Sequence, residues 1–150
     1  MPIASPILLA EDDPHGVELM LGVLRRMGLH ESVQVVHDGE ECLDYLHRRG
    51  QFADFDPGNP KVLLLDLNMP KVGGLEVLHE LRTTPALASI PVVTITSSKD
   101  EKDILEAYRL GTNAYIVKPI DVTSFMEVID HVVNFWGQLN EPPPEGIPTT

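Results

Sequence analysis

Four stretches of this chain place reactive side chains directly at the ends of apolar runs. Glu11-Asp12-Asp13 follows Ile7-Leu8-Leu9-Ala10, and Asp66 follows Val62-Leu63-Leu64-Leu65. Thr96 closes the run that starts at Pro91, and Lys118 closes the run that starts at Ala114. Carboxylates held a few ångström apart raise one another's pKa unless a cation neutralises them. Mg2+ suits such a set, because it takes one or two carboxylates and fills its other positions with water and phosphate oxygens. Mn2+ accepts the same hard ligands. A phosphoryl group completes the chemistry: Asp66 would attack it in line and form an acyl phosphate. Lys118 would neutralise one phosphoryl oxygen as a point charge, and Thr96 would donate a hydrogen bond to another.

Each of these residues has an ordinary role when taken alone. Asp13 reads as a helix N-cap, Thr96 as a turn hydroxyl, Lys118 as a solvated lysine, and Glu11-Asp12 as an acidic loop. Their joint occurrence at four strand ends is what favours a shared site.

The elements that would position them follow from two alternating periods. Ile7–Ala10 reads as a buried strand, and Val17, Met20, Leu24 and Met27 then recur on one face of a helix. Asp13 suits the cap of that helix, Pro14 its first position and Gly28 its stop. Ser32–Val36 is a second strand and Gly39–Arg48 a second helix, with Cys42, Leu43 and Leu46 on one face. The stretch 49–60 reads as a long loop in which Phe52 and Phe55 either close over the domain edge or meet a partner. Lys61–Asp66 is apolar on both parities, as in a strand covered on both faces of a parallel sheet. Gly74–Thr83 is a third helix and Pro91–Thr96 a fourth strand. Ser98 and Glu101 have capping-box spacing for a fourth helix ended by Gly111. Ala114–Lys118 is a fifth strand, and Asp121 caps a last helix that reaches about Gln138.

Five alternations of strand and helix give an α/β class with a parallel sheet. The lengths suit a flavodoxin-like, doubly wound five-stranded sheet in the order 2-1-3-4-5, with five helices. In such sheets ligands bind beyond the carboxyl ends of the strands, where all the reactive residues stand.

Composition removes other classes. Eleven basic against 23 acidic residues give a formal net charge of −12, which argues against nucleic acid and anionic lipid as partners. No apolar run is long enough to span a membrane, and the first six residues lack the basic and apolar regions of a secretory signal. A cytoplasmic location is expected. One cysteine excludes an internal disulfide and a zinc ribbon, and the six histidines show no metal-ligand spacing.

The sequence resembles the receiver domains of bacterial response regulators, the chemotaxis-regulator-like family, over Ile7–Trp136. The matching stretches are Ile7–Asp12, Leu63–Pro70, Gly73-Gly74, Pro91–Ser97 and Ala114–Pro119. The resemblance implies a signalling protein whose Asp66 accepts phosphate from a histidine kinase and which catalyses only its own phosphorylation and dephosphorylation. It implies Glu11 and Asp12 as the acidic pair around Mg2+, with the Asn68 backbone carbonyl as a further ligand. It also makes Thr96 and Tyr115 a switch pair: Thr96 moves toward the phosphate and Tyr115 follows, reshaping the surface of helix four, strand five and helix five. Lys118-Pro119 would be a cis peptide. Ser97 stands where the family often has alanine, and is small enough to keep phosphoryl access. The expected organisation is a receiver over residues 1–138 and a flexible proline-rich tail over 139–150, with the signal leaving through a partner's surface.

A narrower resemblance rests on the long loop before strand three, on Thr96-Ser97-Ser98, and on a last helix ending Phe135-Trp136. It is to the single-domain regulators paired with bacterial phytochrome-type histidine kinases, and implies a light-regulated phosphorelay.

On a helical wheel, Val122, Phe125, Ile129, Val132 and Trp136 form the core stripe of the last helix. Met126, Val128, Val133 and Phe135 flank it, either tucked under neighbouring loops or forming a homodimer interface. Two other functions stand as alternatives. A haloacid-dehalogenase-type phosphatase also uses an Asp after a strand, but needs an acid two positions on, where this chain has Asn68. A degenerate receiver would act only as a binding module, against which the intact Glu11, Asp12, Asp66, Thr96 and Lys118 set argues.

Overall fold

The computed structural model describes residues 7–54 and 58–144. Five parallel strands form one sheet in the order β2-β1-β3-β4-β5: β1 (Ile7–Ala10), β2 (Val33–Val36), β3 (Val62–Leu65), β4 (Val92–Thr96) and β5 (Ala114–Val117). Helices alternate with them: α1 (Pro14–Arg26), α2 (Gly39–His47), α3 (Gly74–Thr83), α4 (Glu101–Arg109) and α5 (Val122–Val132). Among the described residues no helix is long and apolar enough to cross a membrane.

The unbroken apolar runs of β1 and β3 are explained by burial on both faces. Leu8, Ala10, Leu63 and Leu65 face a core completed by α2 and α3, including Cys42, Tyr45, Leu78 and Leu81. Their neighbours Ile7, Leu9, Val62 and Leu64 face a second core completed by α1 and α5, including Met20, Leu24, Phe125 and Ile129. Each strand therefore supplies both layers, as its period of two requires.

Capping residues set the helix starts. The Asp13 side chain accepts from the His15 N–H, Asp38 from the Glu41 N–H and Asp121 from the Ser124 N–H. The capping box expected at Ser98 and Glu101 is not formed. Asp100 stands directly before the helix and caps it by accepting from the Lys102 N–H at 3.0 Å. Ser98 instead turns its hydroxyl to Asp103.

The last helix departs from the wheel. After Val132 it widens into a π-helical stretch, Val133–Leu139. With wider turns the inward face follows a spacing of four, so Val133 is 1% exposed and Gly137 is buried, while Phe135 and Leu139 stand out. Val133 thus belongs to the core and leaves the expected dimer set. Val122, placed in the core stripe by the wheel, is exposed in the first turn. In the loop before β3, Phe52 ends a short 3-10 turn and packs edge-on against Tyr45 at 5.0 Å. Phe55 lies outside the described residues, as does the end of the expected tail; residues 139–144 of that tail are described, and Leu139 belongs to the π-helical stretch.

Candidate functional site

Parallel register carries the reactive residues to one edge. Ala10 pairs with Leu65 and Thr96 with Val117, so Glu11, Asp66 and Lys118 each stand one residue beyond a paired strand end. The Asp66 N–H donates to the Ala10 carbonyl at 3.1 Å, which fixes Asp66 beside Glu11. Gly74 lets the first turn of α3 press against this strand end, since a Cβ there would come within 2.6 Å of Leu67 Cα.

Glu11, Asp12 and Asp66 bring one oxygen each within 4.8 Å of one another. Glu11 and Asp66 are 1% and 6% exposed, while Asp12 is exposed at the mouth. The Lys118 ammonium lies between the two buried acids, donating to Glu11 Oε1 and to Asp66 Oδ2 at 3.0 Å. Asp66 Oδ1 accepts from the Asn68 N–H at 3.1 Å. Burial pushes the Glu11 carboxyl up to about 7, helped by its contact with Asp66 and opposed by Lys118. For Lys118, burial works downward, but the bond to Glu11 and the Asp66 charge outweigh it and the ammonium is held above its usual range.

Thr96 is fully buried and its hydroxyl accepts from Asn68 Nδ2 and from the Ser98 N–H, both at 3.4 Å. Its own proton remains to donate toward the pocket. The Tyr115 hydroxyl donates to the Ser98 carbonyl at 3.0 Å. Burial raises the Tyr115 phenol, and Asp103, Asp100 and Asp66 add to the effect against the Ser98 bond, so it is a protonated donor at neutral pH. Ser97 is exposed beside Thr96.

The structure therefore brings together Glu11, Asp12, Asp66, Thr96 and Lys118, with Asn68 at the rim. Asp13 serves as the α1 cap. The expected cis peptide before Pro119 is not present: no peptide bond among the described residues is cis. The trans form is the intrinsically preferred one at an X-Pro bond, by about 0.5–1 kcal/mol, and Lys118 reaches both carboxylates from it. Two contacts escaped the sequence reading. The Asn68 side chain spans from the Asp66 strand to Thr96, where only its backbone had been singled out. Ser98 joins Thr96, Tyr115 and α4, a role that no helical or strand spacing signals.

Three clustered carboxylate oxygens with an ammonium behind them form a hard, oxygen-rich donor set that fits a divalent cation. Comparison with known proteins agrees. The model of the response regulator receiver domain matches residues 7–130. Response regulator Rcp1 of Synechocystis sp. is 32% identical over 130 residues, covering 87% of each chain. A solved Mn(2+)-bound form of Rcp1 superposes with a TM-score of 0.85 at 31% identity, over 92% of this chain and 98% of that one. The phosphorylated cyanobacterial phytochrome response regulator RcpA has a TM-score of 0.85 and 34% identity, over 92% and 97% of the two chains. The bacteriophytochrome response regulator RtBRR has a TM-score of 0.73 and 51% identity, over 95% and 86%. The chain belongs to the response regulator receiver domain family.

Proposed function

We propose that Asp66 is the phosphoacceptor of a phytochrome-linked relay, with Mg2+ as the cation between Glu11, Asp12, Asp66 and the Asn68 carbonyl. The observation that carries this reading is the buried Asp66 carboxylate, held by Lys118 and the Asn68 N–H beside two further acids. A carboxylate oxygen of Asp66 forms the new P–O bond, the P–N bond of a kinase phosphohistidine breaks, and its electron pair returns to the imidazole. Lys118 and the Thr96 hydroxyl meet the phosphoryl oxygens. The cation, when bound, offsets carboxylate charge and one phosphoryl oxygen. The same pocket admits water for hydrolysis of the acyl phosphate, so the chain catalyses its own phosphorylation and dephosphorylation and nothing else.

A donor must approach over the open side of the pocket. Beside Lys118 a groove of about 400 Å3 is lined by the apolar Leu19, Pro119, Ile120, Val122 and Phe125 and by the polar Asp13, His15, Ser97 and Lys99, and Ile120 is 96% exposed. Its apolar residues give a kinase helix a surface to bury beside Lys118, the partner of Asp66. The similarity to RcpA and RtBRR supports a phytochrome-type histidine kinase as donor, and a cytoplasmic location goes with that reading. Transfer from an autophosphorylated phytochrome-type kinase is expected to be fast and to slow sharply when Ile120 is replaced by Asp. Preferential transfer from a kinase with no chromophore-binding sensor would contradict the phytochrome link.

A homodimer through the last helix is the second part of the proposal. Met126 and Val128 are half-buried, and Phe135 and Leu139 are exposed one helical turn apart, with Phe135 edge-on to Trp136 at 5.2 Å. Sedimentation at micromolar concentration is expected to give a dimer mass that Phe135→Asp converts to monomer. A monomeric wild type would contradict it.

A further inference from the structure

Helix α3 carries more apolar residues than the core uses. Its inward face buries Val77, Leu78 and Leu81 completely against α2 and the sheet. Leu75 is left over: it is half-buried and joins neither core. It opens instead onto a groove of about 750 Å3 between α3 and α4, which it lines together with Leu43, Val72 and Leu110. That volume lies within the range of about 300–1,000 Å3 in which proteins bury a bound group.

The rim of the groove is polar and of one dominant sign. Helix α3 contributes Glu76, His79, Glu80 and Thr83, and α4 contributes Glu106 and Arg109. Arg109 donates through Nε to Glu106 at 2.9 Å and through Nη2 to its other oxygen, so these two charges cancel. The Thr83 hydroxyl is turned back to the His79 and Glu80 carbonyls of its own helix. Among the described residues Glu76 has no cation within ion-pair distance, and Glu80 faces the His47 imidazole at 3.6 Å. The unbalanced charge of the rim is therefore held by Glu76 and Glu80, one helical turn apart. Like charges at i and i+4 weaken a helix. The helix dipole offsets this for Glu76 in the first turn of α3, but not for Glu80.

We infer that this groove docks an amphipathic helix of a partner protein, with the apolar stripe of that helix over Leu75, Val72 and Leu110 and two Lys or Arg residues opposite Glu76 and Glu80. A helix that lays its apolar face into a hydrophobic groove is a general mode of protein recognition. The two uncancelled carboxylates select a pair of cations and repel an acidic helix. The net charge of −12 draws a basic partner toward the chain from a distance, and disfavours nucleic acid and anionic lipid in its place. Glu76 and Glu80 are separated by one turn, so one helix running along α3 meets both with cations one turn apart. The Lys118 ammonium and the two buried acids engage one another and no groove residue, so docking here is separate from acceptance of phosphate.

The probe is a synthetic helix of about 14 residues, or four turns, with Leu on one face and Lys on the other. A peptide of the same composition in scrambled order is its control. Binding to the full chain is read by fluorescence anisotropy, and the contact surface by amide shifts in NMR spectra. The helical probe is expected to bind about tenfold more tightly than the scrambled one, because only it presents a continuous apolar face. It is expected to move amides of α3 and of the C-terminal half of α4. The double variant Glu76→Gln/Glu80→Gln is expected to weaken binding about fivefold, as the loss of two partly exposed ion pairs does. Leu75→Ser is expected to weaken it about tenfold, the worth of one half-buried leucine. A denaturation midpoint near that of wild type is expected for the double variant, which then decides alone if Leu75→Ser does not fold. Equal affinity for the scrambled peptide, shifts spread over other acidic faces, or full affinity in the double variant overturns the groove as the site. Self-association of the wild type that the double variant abolishes gives the groove to a second copy of the chain, and overturns the partner helix.

Discussion

Lys118→Met is expected to slow phosphate incorporation by about a hundredfold to a thousandfold, the usual cost of removing one preorganised charge from a transition state. Among the described residues, Lys118 is the cation in contact with both Glu11 and Asp66. Methionine keeps the length and packing of the side chain and removes the charge. The incoming phosphoryl group then meets carboxylates with no ammonium behind it. In metal-free buffer the same change is expected to lower folding stability by about 3 kcal/mol, because it leaves two buried acids without their counter-charge. Stopped reactions with a small phosphodonor read the first effect and denaturant midpoints the second. An unchanged rate would remove Lys118 from the site.

The pH dependence follows from the same cluster. An unfolded glutamate releases its proton near 4.5, whereas folded Glu11 keeps it to about 7. Between these values the folded chain binds more protons, so the Glu11 contribution is complete below 4.5 and is lost as pH rises through about 7. Metal-free protein is therefore expected to be less stable at mildly alkaline than at acid pH as far as Glu11 is concerned. Lys118→Met should exaggerate that trend, since it removes a group that lowers Glu11. A divalent cation should reduce it by taking the place of the proton.

Gly39→Ala is the second large effect. A Cβ at Gly39 would lie on the Val72 carbonyl oxygen and 2.6 Å from its carbon. These are backbone atoms and cannot rotate away, so α2 or the loop after β3 must move. The expected cost is about 3 kcal/mol, at the upper end for overpacking, and a large share of the 5–15 kcal/mol that holds a domain together. Because the displaced loop also carries Asn68, divalent-cation affinity should weaken in parallel. Gly22→Ala is the matched control: it lies inside α1 with no atom within 4 Å of the added Cβ. It is expected to stabilise by about 0.5–1 kcal/mol through helix propensity. Equal denaturation midpoints for Gly39→Ala and wild type would show that the backbones do not meet as described.

Much of this architecture is legible from the residues because two periods alternate cleanly. The doubly apolar run before Asp66 fits only a strand covered on both faces, and Asp13-Pro14 and Gly28 mark the two ends of α1 by local stereochemistry. Once the strand ends were placed, the pocket residues followed, since every parallel strand points the same way. The remainder depends on three-dimensional contacts. Ser98 and Asp100 both offer a cap, and spacing alone favours Ser98 through Glu101. The adjacent Asp100 takes the role, which leaves Ser98 to bond Asp103. A wheel of fixed pitch puts Trp136 inward, and it does pack half-buried against the core, but the π-helical widening after Val132 also brings Val133 and Gly137 fully inward. Gly137 fits because its α-carbon lies close to Ile7, where a Cβ would be 3.2 Å from Ile7 Cδ1. The isomer before Pro119 is set by its surroundings and is not written in the dipeptide. The Asn68 amide meets Thr96 only because β3 and β4 are neighbours.

The central claim is that Asp66 takes the phosphate. Its most direct test is the position and stoichiometry of phosphate after reaction with a small acyl phosphate donor and Mg2+, mapped by mass spectrometry. A stoichiometric phosphate on the peptide containing Asp66, lost when Mg2+ is chelated and absent in Asp66→Asn, is the predicted result. Full phosphate incorporation by Asp66→Asn, or phosphate found on another residue of the wild type, would contradict it.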